Sequence, residues 1–379
     1  MKSPEEYLPS PDEINAHNLE NGNGNGSPDA IVPRRTLSMR KPSEVLDMIF
    51  DDSDRILGDR LLAKGQPLTI LAPGGTGKSR ILLQLLACII TEKPFCGFEC
   101  RGKSMKWLVL QTENSCRRLQ SDLNRLKAWL TQKEWETVDN CLLLHTMEHD
   151  DDGMVYLSDR DNQAAIAKTI EDFKPDGIAF DPLGDFAVGD PNRDQDMRDT
   201  CRMISKICKK GHPDRCIIVV HHAITGRAGA AKATGYDRTS YARNSKVLHS
   251  WTRGQINIAT GSPDNNEHLV IACGKCSNGK EFETFSIRLN TNTLIYEEDP
   301  TFDVESWQKT IGVSNSSHEP IPERIRELCP ITGISKMIFS RIIRDEFGCS
   351  KPTSYRYIMK AEQLKLVIRS RSDSNYFRG

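Results

Sequence analysis

The segment "APGGTGKS", residues 72–79, constrains this chain more than any other eight residues. It joins the apolar run "PLTILA" (67–72) to the amphipathic stretch "KSRILLQLLACIITE". Strand, glycine-rich turn and helix in that order make a phosphate loop. Small residues let backbone N–H groups converge on phosphate oxygens, and the following helix turns its positive end to the same anion. Gly74, Gly75, Thr76, Gly77, Lys78, Ser79 and Arg80 line this site. Lys78 is placed to reach the β- and γ-phosphates and Ser79 to bind Mg²⁺, so ATP and Mg²⁺ are the expected cofactors. The first position is Ala72 where the strict pattern has Gly, which leaves the loop itself intact.

The pattern around the loop repeats. "KWLVLQTE" (106–113) precedes "CRRLQSDLNRLKAWL", "DGIAFD" (176–181) precedes "DQDMRDTCRMISKICKK", and "RCIIVVHH" ends at residue 222. Continuous apolar runs alternating with helices indicate a parallel sheet covered on both faces. "GQINIAT", "HLVIACGK", "FETFSIRL" and "TLIYEE" follow without a long helix between them, so the sheet is expected to end in an antiparallel extension.

Composition narrows the partners. Net charge is −1, so any basic surface is local, and no apolar run reaches the ~18 residues of a membrane span. An acidic N-terminus without an apolar core argues against a secretory or transit peptide. Twelve scattered cysteines suit reduced thiols in a cytoplasmic chain, and the Cys273–Cys276 pair has no second pair at zinc spacing. Residues 1–43, with "ENGNGNGSPD" and the basic "VPRRTLSMRK", read as a disordered tail. Residues 44–300 read as the main domain, 301–319 as a linker and 320–379 as a small domain.

Two further carboxylates end apolar strands. Asp181 either binds Mg²⁺ or caps a helix; Glu113 either accepts a proton from water or caps the next helix. The adjacent His221 and His222 lie on opposite faces of a strand, which disfavours a shared metal. In order, "GGTGKS", "LVLQTEN", "IAFDPLGDF", "VVHHAI", "SYARNSKVLHSWTR" and "IACGKCSNG" resemble the RepA-type hexameric replicative helicases of plasmids and phage, within the RecA-like ATPase superfamily. The likeness spans about residues 60–300. The expected fold class is therefore α/β: a RecA-like P-loop NTPase core with a mostly parallel sheet and C-terminal β extension, plus a small winged helix-turn-helix domain.

The resemblance implies Lys78 and Ser79 on the nucleotide and its Mg²⁺, Asp181 on that Mg²⁺, and Glu113 on the attacking water. It implies a γ-phosphate sensor at His222. It also implies a homo-hexamer in which Arg253 and Lys275 reach the neighbouring subunit's ATP, with Arg243 at the interface or DNA loop. Two loops are expected to face the ring centre and meet single-stranded DNA: "LGDFAVGDPNRDQDM" and the stretch after His222 carrying Arg227, Lys232 and Arg238.

From Glu319 onward there are 12 Lys and Arg against 7 Asp and Glu, a surplus of five. "PERIRELC", "SKMIFSRIIRDEFG" and "PTSYRYIMKAEQLK" read as three helices and "LVIRSRSDSNYFRG" as a hairpin. That is a winged helix, an addition to the minimal helicase, and it suits double-stranded DNA or protein docking. Lys351, Ser354, Tyr355, Arg356 and Lys360 are its candidate DNA contacts, with Arg369 and Arg371 on the wing. The function expected is an ATP-hydrolysing DNA motor, a replicative helicase of a mobile element or phage. The alternative is a regulatory, recombination or defence ATPase without strand separation.

Overall fold

The computed structural model of the chain describes residues 39–49, 52–148, 155–243, 246–312, 322–347, 351–370 and 375–379. Met1–Asp51 and Asp52–Gly379 are two compact units. In the first, α1 (Pro42–Leu46) begins with Pro at its first turn, and the Lys41 N–H donates to Glu44 Oε2 at 2.6 Å. The rest of the expected tail, residues 1–38 with most of its basic patch, lies outside the described residues.

The second unit opens with a hairpin of β1 (Arg55–Leu57) and β2 (Leu62–Ala63). β3 (Pro67–Ala72) runs into α2 (Lys78–Thr91), and β4 (Trp107–Gln111) into α3 (Cys116–Trp129) and α4 (Gln132–Cys141). Then come β5 (Leu142–Leu144), α5 (Arg160–Phe173), β6 (Gly177–Asp181), α6 (Asp194–Lys209) and β7 (Cys216–His222). α7 (Gly226–Ala233), α8 (Val247–Trp251), β8 (Gly254–Thr260), β9 (His268–Cys276), β10 (Phe285–Leu289), β11 (Tyr296–Glu298) and α9 (Val304–Ile311) complete the core.

Nine strands form one sheet in the order β5-β4-β6-β7-β3-β8-β9-β10-β11. The first six are parallel, and β9, β10 and β11 join antiparallel. The fold is thus α/β with a mostly parallel sheet and an antiparallel extension. Each strand feeds two cores because successive side chains alternate faces. Leu68, Ile70, Ile218 and Val220 pack with α2, while Leu71, Ile217 and Val219 pack with α5, α6 and α8. The phosphate-loop strand β3 lies between β7 and β8, so it is buried on both faces and both edges.

Three expectations change here. The stretch after His222 is not an open loop: residues 226–233 are α7, whose sequence "GRAGAAKA" is rich in the best helix former, and Ala233 is fully buried. The linker expected over 301–319 holds α9, capped by Asp303 accepting from the Ser306 N–H at 2.9 Å and anchored by buried Trp307. "LGDFAVGDPNRDQDM" is also partly folded, with a 3₁₀ turn at Leu183–Phe186 whose Leu183 and Phe186 are fully buried.

Toward the C-terminus, α10 (Pro322–Leu328), α11 (Lys336–Phe347) and α12 (Lys351–Gln363) precede an antiparallel pair, β12 (Val367–Arg369) and β13 (Tyr376–Arg378). Ile334 exchanges two 2.8 Å backbone hydrogen bonds with Tyr376, adding a third extended segment beside the pair. Phe339, Ile343, Ile358, Val367 and Tyr376 make a separate core. The buried Ser340 and Ser354 hydroxyls satisfy one another at 2.7 Å between α11 and α12.

Candidate functional site

Parallel strands put their carboxyl ends on one edge of a sheet, and here that edge gathers four of the expected residues. The loop after β3 carries Lys78, 6% exposed at the first turn of α2. Its Nζ donates to the Pro73 carbonyl at 3.1 Å and to His222 Nδ1, at the end of β7, at 3.3 Å. With Nδ1 accepting, the His222 proton sits on Nε2, which faces Glu113 Oε1 at 3.6 Å. Burial lowers the Lys78 pKa, with Glu113 and Asp181 opposing that shift. Hydrogen bonding to His222 lowers that of Glu113.

Glu113 stands two residues beyond β4, on a turn held by its neighbours. The Gln111 side-chain amide donates to the carbonyls of Asn114 and His145 at 3.0 and 2.9 Å, and its oxygen accepts from the Asn114 N–H at 2.8 Å. The Thr112 hydroxyl donates to Asp185 at 2.6 Å. The carboxylate is left half-exposed at the mouth of the site, open to solvent water.

Asp181 ends β6 and is 2% exposed, with Oδ1 making no hydrogen bond among the described residues. Burial raises its pKa to about 6, while the Ser79 hydroxyl and Lys78 pull the other way. An uncompensated buried carboxylate beside a hydroxyl is a donor set that suits a hard divalent cation. Ser79 and Asp181 therefore fit Mg²⁺. The neighbouring His221 is different: it is buried, its Nε2 donates to the Arg243 carbonyl at 3.1 Å, and burial pushes its pKa down to about 4. It is a neutral structural group that pins the return strand at Ala242 against Ala223.

A cavity of about 280 Å³ opens beside the loop. Gly75 to Arg80 and Glu113 line it, together with Asn114, Arg118, Asn266, Leu289 and Tyr296, which sequence reasoning missed. Arg80 does not point freely at a ligand. Its Nε and Nη2 donate to Asp122 at 3.1 and 3.0 Å, and Arg118 donates to the same carboxylate at 2.9 Å.

Arg253 and Lys275 are elsewhere. The Arg253 N–H donates to the carbonyl of Pro67, at the start of β3, so it lies roughly 17 Å along the strand from the phosphate loop. Lys275 sits beside it, donating to the His249 carbonyl at 2.8 Å, and burial and Arg253 lower its pKa. Neither can reach the nucleotide site of its own chain.

The expected DNA residues are also dispersed. Arg227 donates to the Thr310 carbonyl at 2.6 Å, Arg238 pairs with Glu281 at 2.8 Å, and Lys232 is half-buried on α7. In the C-terminal helices Tyr355 is half-buried under the Lys336 ammonium, 4.9 Å from its ring centre. Lys360 is half-buried, Ser354 is fully buried and Arg369 is exposed. Arg371 lies outside the described residues, as do the side chains of Lys351 and Arg356.

A family model described as an AAA domain, AAA_25, matches residues 39–228, half of the chain. No curated protein matches the sequence. Among solved structures, a KaiC-like protein from the hyperthermophilic archaeon Pyrococcus horikoshii OT3 aligns with 63% of this chain and 91% of its own, at 11% identity and a TM-score of 0.41. Likeness at that level adds nothing to what the sheet order already displays. Among the described residues no helix is long and apolar enough to cross a membrane.

Proposed function

Because the chain belongs to the AAA domain family AAA_25, we propose that it is an ATP-hydrolysing DNA motor, a replicative helicase of the RepA kind that its motifs resemble. The observation carrying the reading is the convergence of Lys78, His222, Glu113 and Asp181 on one sheet edge around the phosphate loop. Lys78 and the loop amides hold the phosphates. Ser79 and Asp181 would hold Mg²⁺, which when bound would supply charge neutralisation. Glu113 orients a water and takes its proton. His222, in contact with both Lys78 and Glu113, reports γ-phosphate to the segment that follows it.

Arg253 and Lys275, remote from their own site, are the residues this reading assigns to the neighbouring protomer's nucleotide in a ring. Residues 320–379 act as a winged-helix module on double-stranded DNA in the same reading. A second reading has one specific observation behind it. Arg227 and Arg238 are occupied within the chain, as suits an ATP-dependent switch better than a strand-gripping motor.

Unwinding of a forked duplex decides between them. The helicase reading expects ATP-dependent strand separation by the full chain. Glu113→Gln should bind ATP and separate nothing, with turnover lowered about 10²- to 10⁴-fold. Duplex binding without separation under any nucleotide condition would leave the switch and remove the motor.

A further inference from the structure

The antiparallel extension does more than widen the sheet, because two of its side chains hold the phosphate loop. Tyr296, on β11, donates its hydroxyl to the Thr76 carbonyl at 3.1 Å. Asn266, in the turn between β8 and β9, donates its amide to the Gly75 carbonyl at 3.0 Å. Both come from distant sequence, 220 and 191 residues away. Tyr296 is itself fixed: its backbone N–H and carbonyl both bond the Gln84 side chain of α2, each at 2.8 Å.

A trans peptide is planar, with its C=O and the next N–H pointing in opposite directions. Holding the Gly75 carbonyl therefore aims the Thr76 N–H away from Asn266. Holding the Thr76 carbonyl likewise aims the Gly77 N–H away from Tyr296. The Pro73 carbonyl is held in the same way by the Thr76 hydroxyl and Lys78 Nζ, at 2.9 and 3.1 Å. Three peptides of the loop are thus locked by the protein's own donors. The fit is close at Gly77, which has φ +80° and whose missing Cβ would collide with the Tyr296 hydroxyl. A side chain there is excluded twice, by conformation and by the brace.

We infer that Tyr296 and Asn266 are positioning residues for the nucleotide phosphates, preorganising two backbone donors of the loop. The inference rests on the nucleotide-site reading above and deepens it: the antiparallel extension is part of the phosphate site. Donors set before binding contribute equally to ground and transition states, so they govern KM rather than kcat.

The test is ATP and ADP affinity together with steady-state turnover for the full chain carrying Tyr296→Phe or Asn266→Ala, beside Lys78→Ala. Asn266 is exposed and Tyr296→Phe keeps the ring in place, so both variants retain the fold, checked by an unchanged far-UV spectrum. Loss of one neutral hydrogen bond corresponds to about a 3- to 10-fold change in affinity. Each variant should raise KM for ATP by that factor and weaken ADP equally, with kcat within about twofold of wild type. A purely structural role would lower the melting temperature and leave KM alone, which would overturn the inference. Wild-type affinities in both variants, with Lys78→Ala deficient, would overturn it too and leave the nucleotide reading standing. Wild-type ATP binding by Lys78→Ala would overturn the nucleotide reading itself.

Discussion

Asp181, Lys78, His222 and Glu113 form a short line of polar groups in which each neighbour tunes the next. Lys78 occupies one nitrogen of His222, which directs the other toward Glu113. Glu113 and Asp181 were legible from the sequence because each closes an apolar run. Tyr296 and Asn266 were not: a tyrosine in "TLIYEE" reads as strand core, and an asparagine in "SPDNNEH" reads as a turn. Only the sheet order brings them to the loop. The His pair was half legible, since alternation separates the two rings but does not say which is buried. His221 carries a pH prediction. Burial lowers its pKa from 6.5 to about 4, so the unfolded chain binds the extra proton between those values. Stability contributed by the neutral ring is complete above pH 6.5 and lost as pH falls toward 4. Urea unfolding at pH 5 and pH 7 should differ by about 2 kcal/mol on this residue's account. His221→Gln, which keeps a donor for the Arg243 carbonyl, should remove that part of the difference; an unchanged difference would contradict the assignment.

At the scale of elements, α2 and α3 are joined through one buried carboxylate. Asp122 is 6% exposed and accepts from both Arg80 and Arg118, whereas Arg118 is 51% exposed. Removing the shared buried partner strands Arg80, so Asp122→Ala should lower unfolding free energy by about 3 kcal/mol. Arg118→Ala removes an exposed partner and should cost under about 1 kcal/mol. Equal losses from the two, measured by denaturant titration, would refute this clamp. The strands around the loop were readable because burial on both faces makes them continuous apolar runs. α7 was misjudged because small residues serve a flexible loop and an alanine-rich helix equally well, and packing against β8 decides the matter. α9 was hidden for a related reason: its apolar residues are few, with Trp307 buried and Val304 and Ile311 packed beside it at the two ends.

Across the whole molecule, the nucleotide edge and the Arg253–Lys275 pair lie at opposite ends of the strands. In the proposed reading these two cations serve the nucleotide of another copy, because they lie too far from their own. The antiparallel β8–β9 pair links the two ends, since Arg253 just precedes β8 and Lys275 lies near the end of β9, while the turn between the strands holds Asn266. The α/β class and its extension were legible from the order of strands and helices; the distance between these two ends was not, because it depends on strand direction. In the proposed function, ATP hydrolysis at the Lys78–Glu113 site is coupled to nucleic acid. Steady-state ATP turnover of the full chain, titrated with single-stranded DNA, decides whether it is. Turnover should rise severalfold and saturate with DNA, and Glu113→Gln should show no rise. A wild-type rate that DNA leaves unchanged, or a rise that survives Glu113→Gln, would contradict the claim.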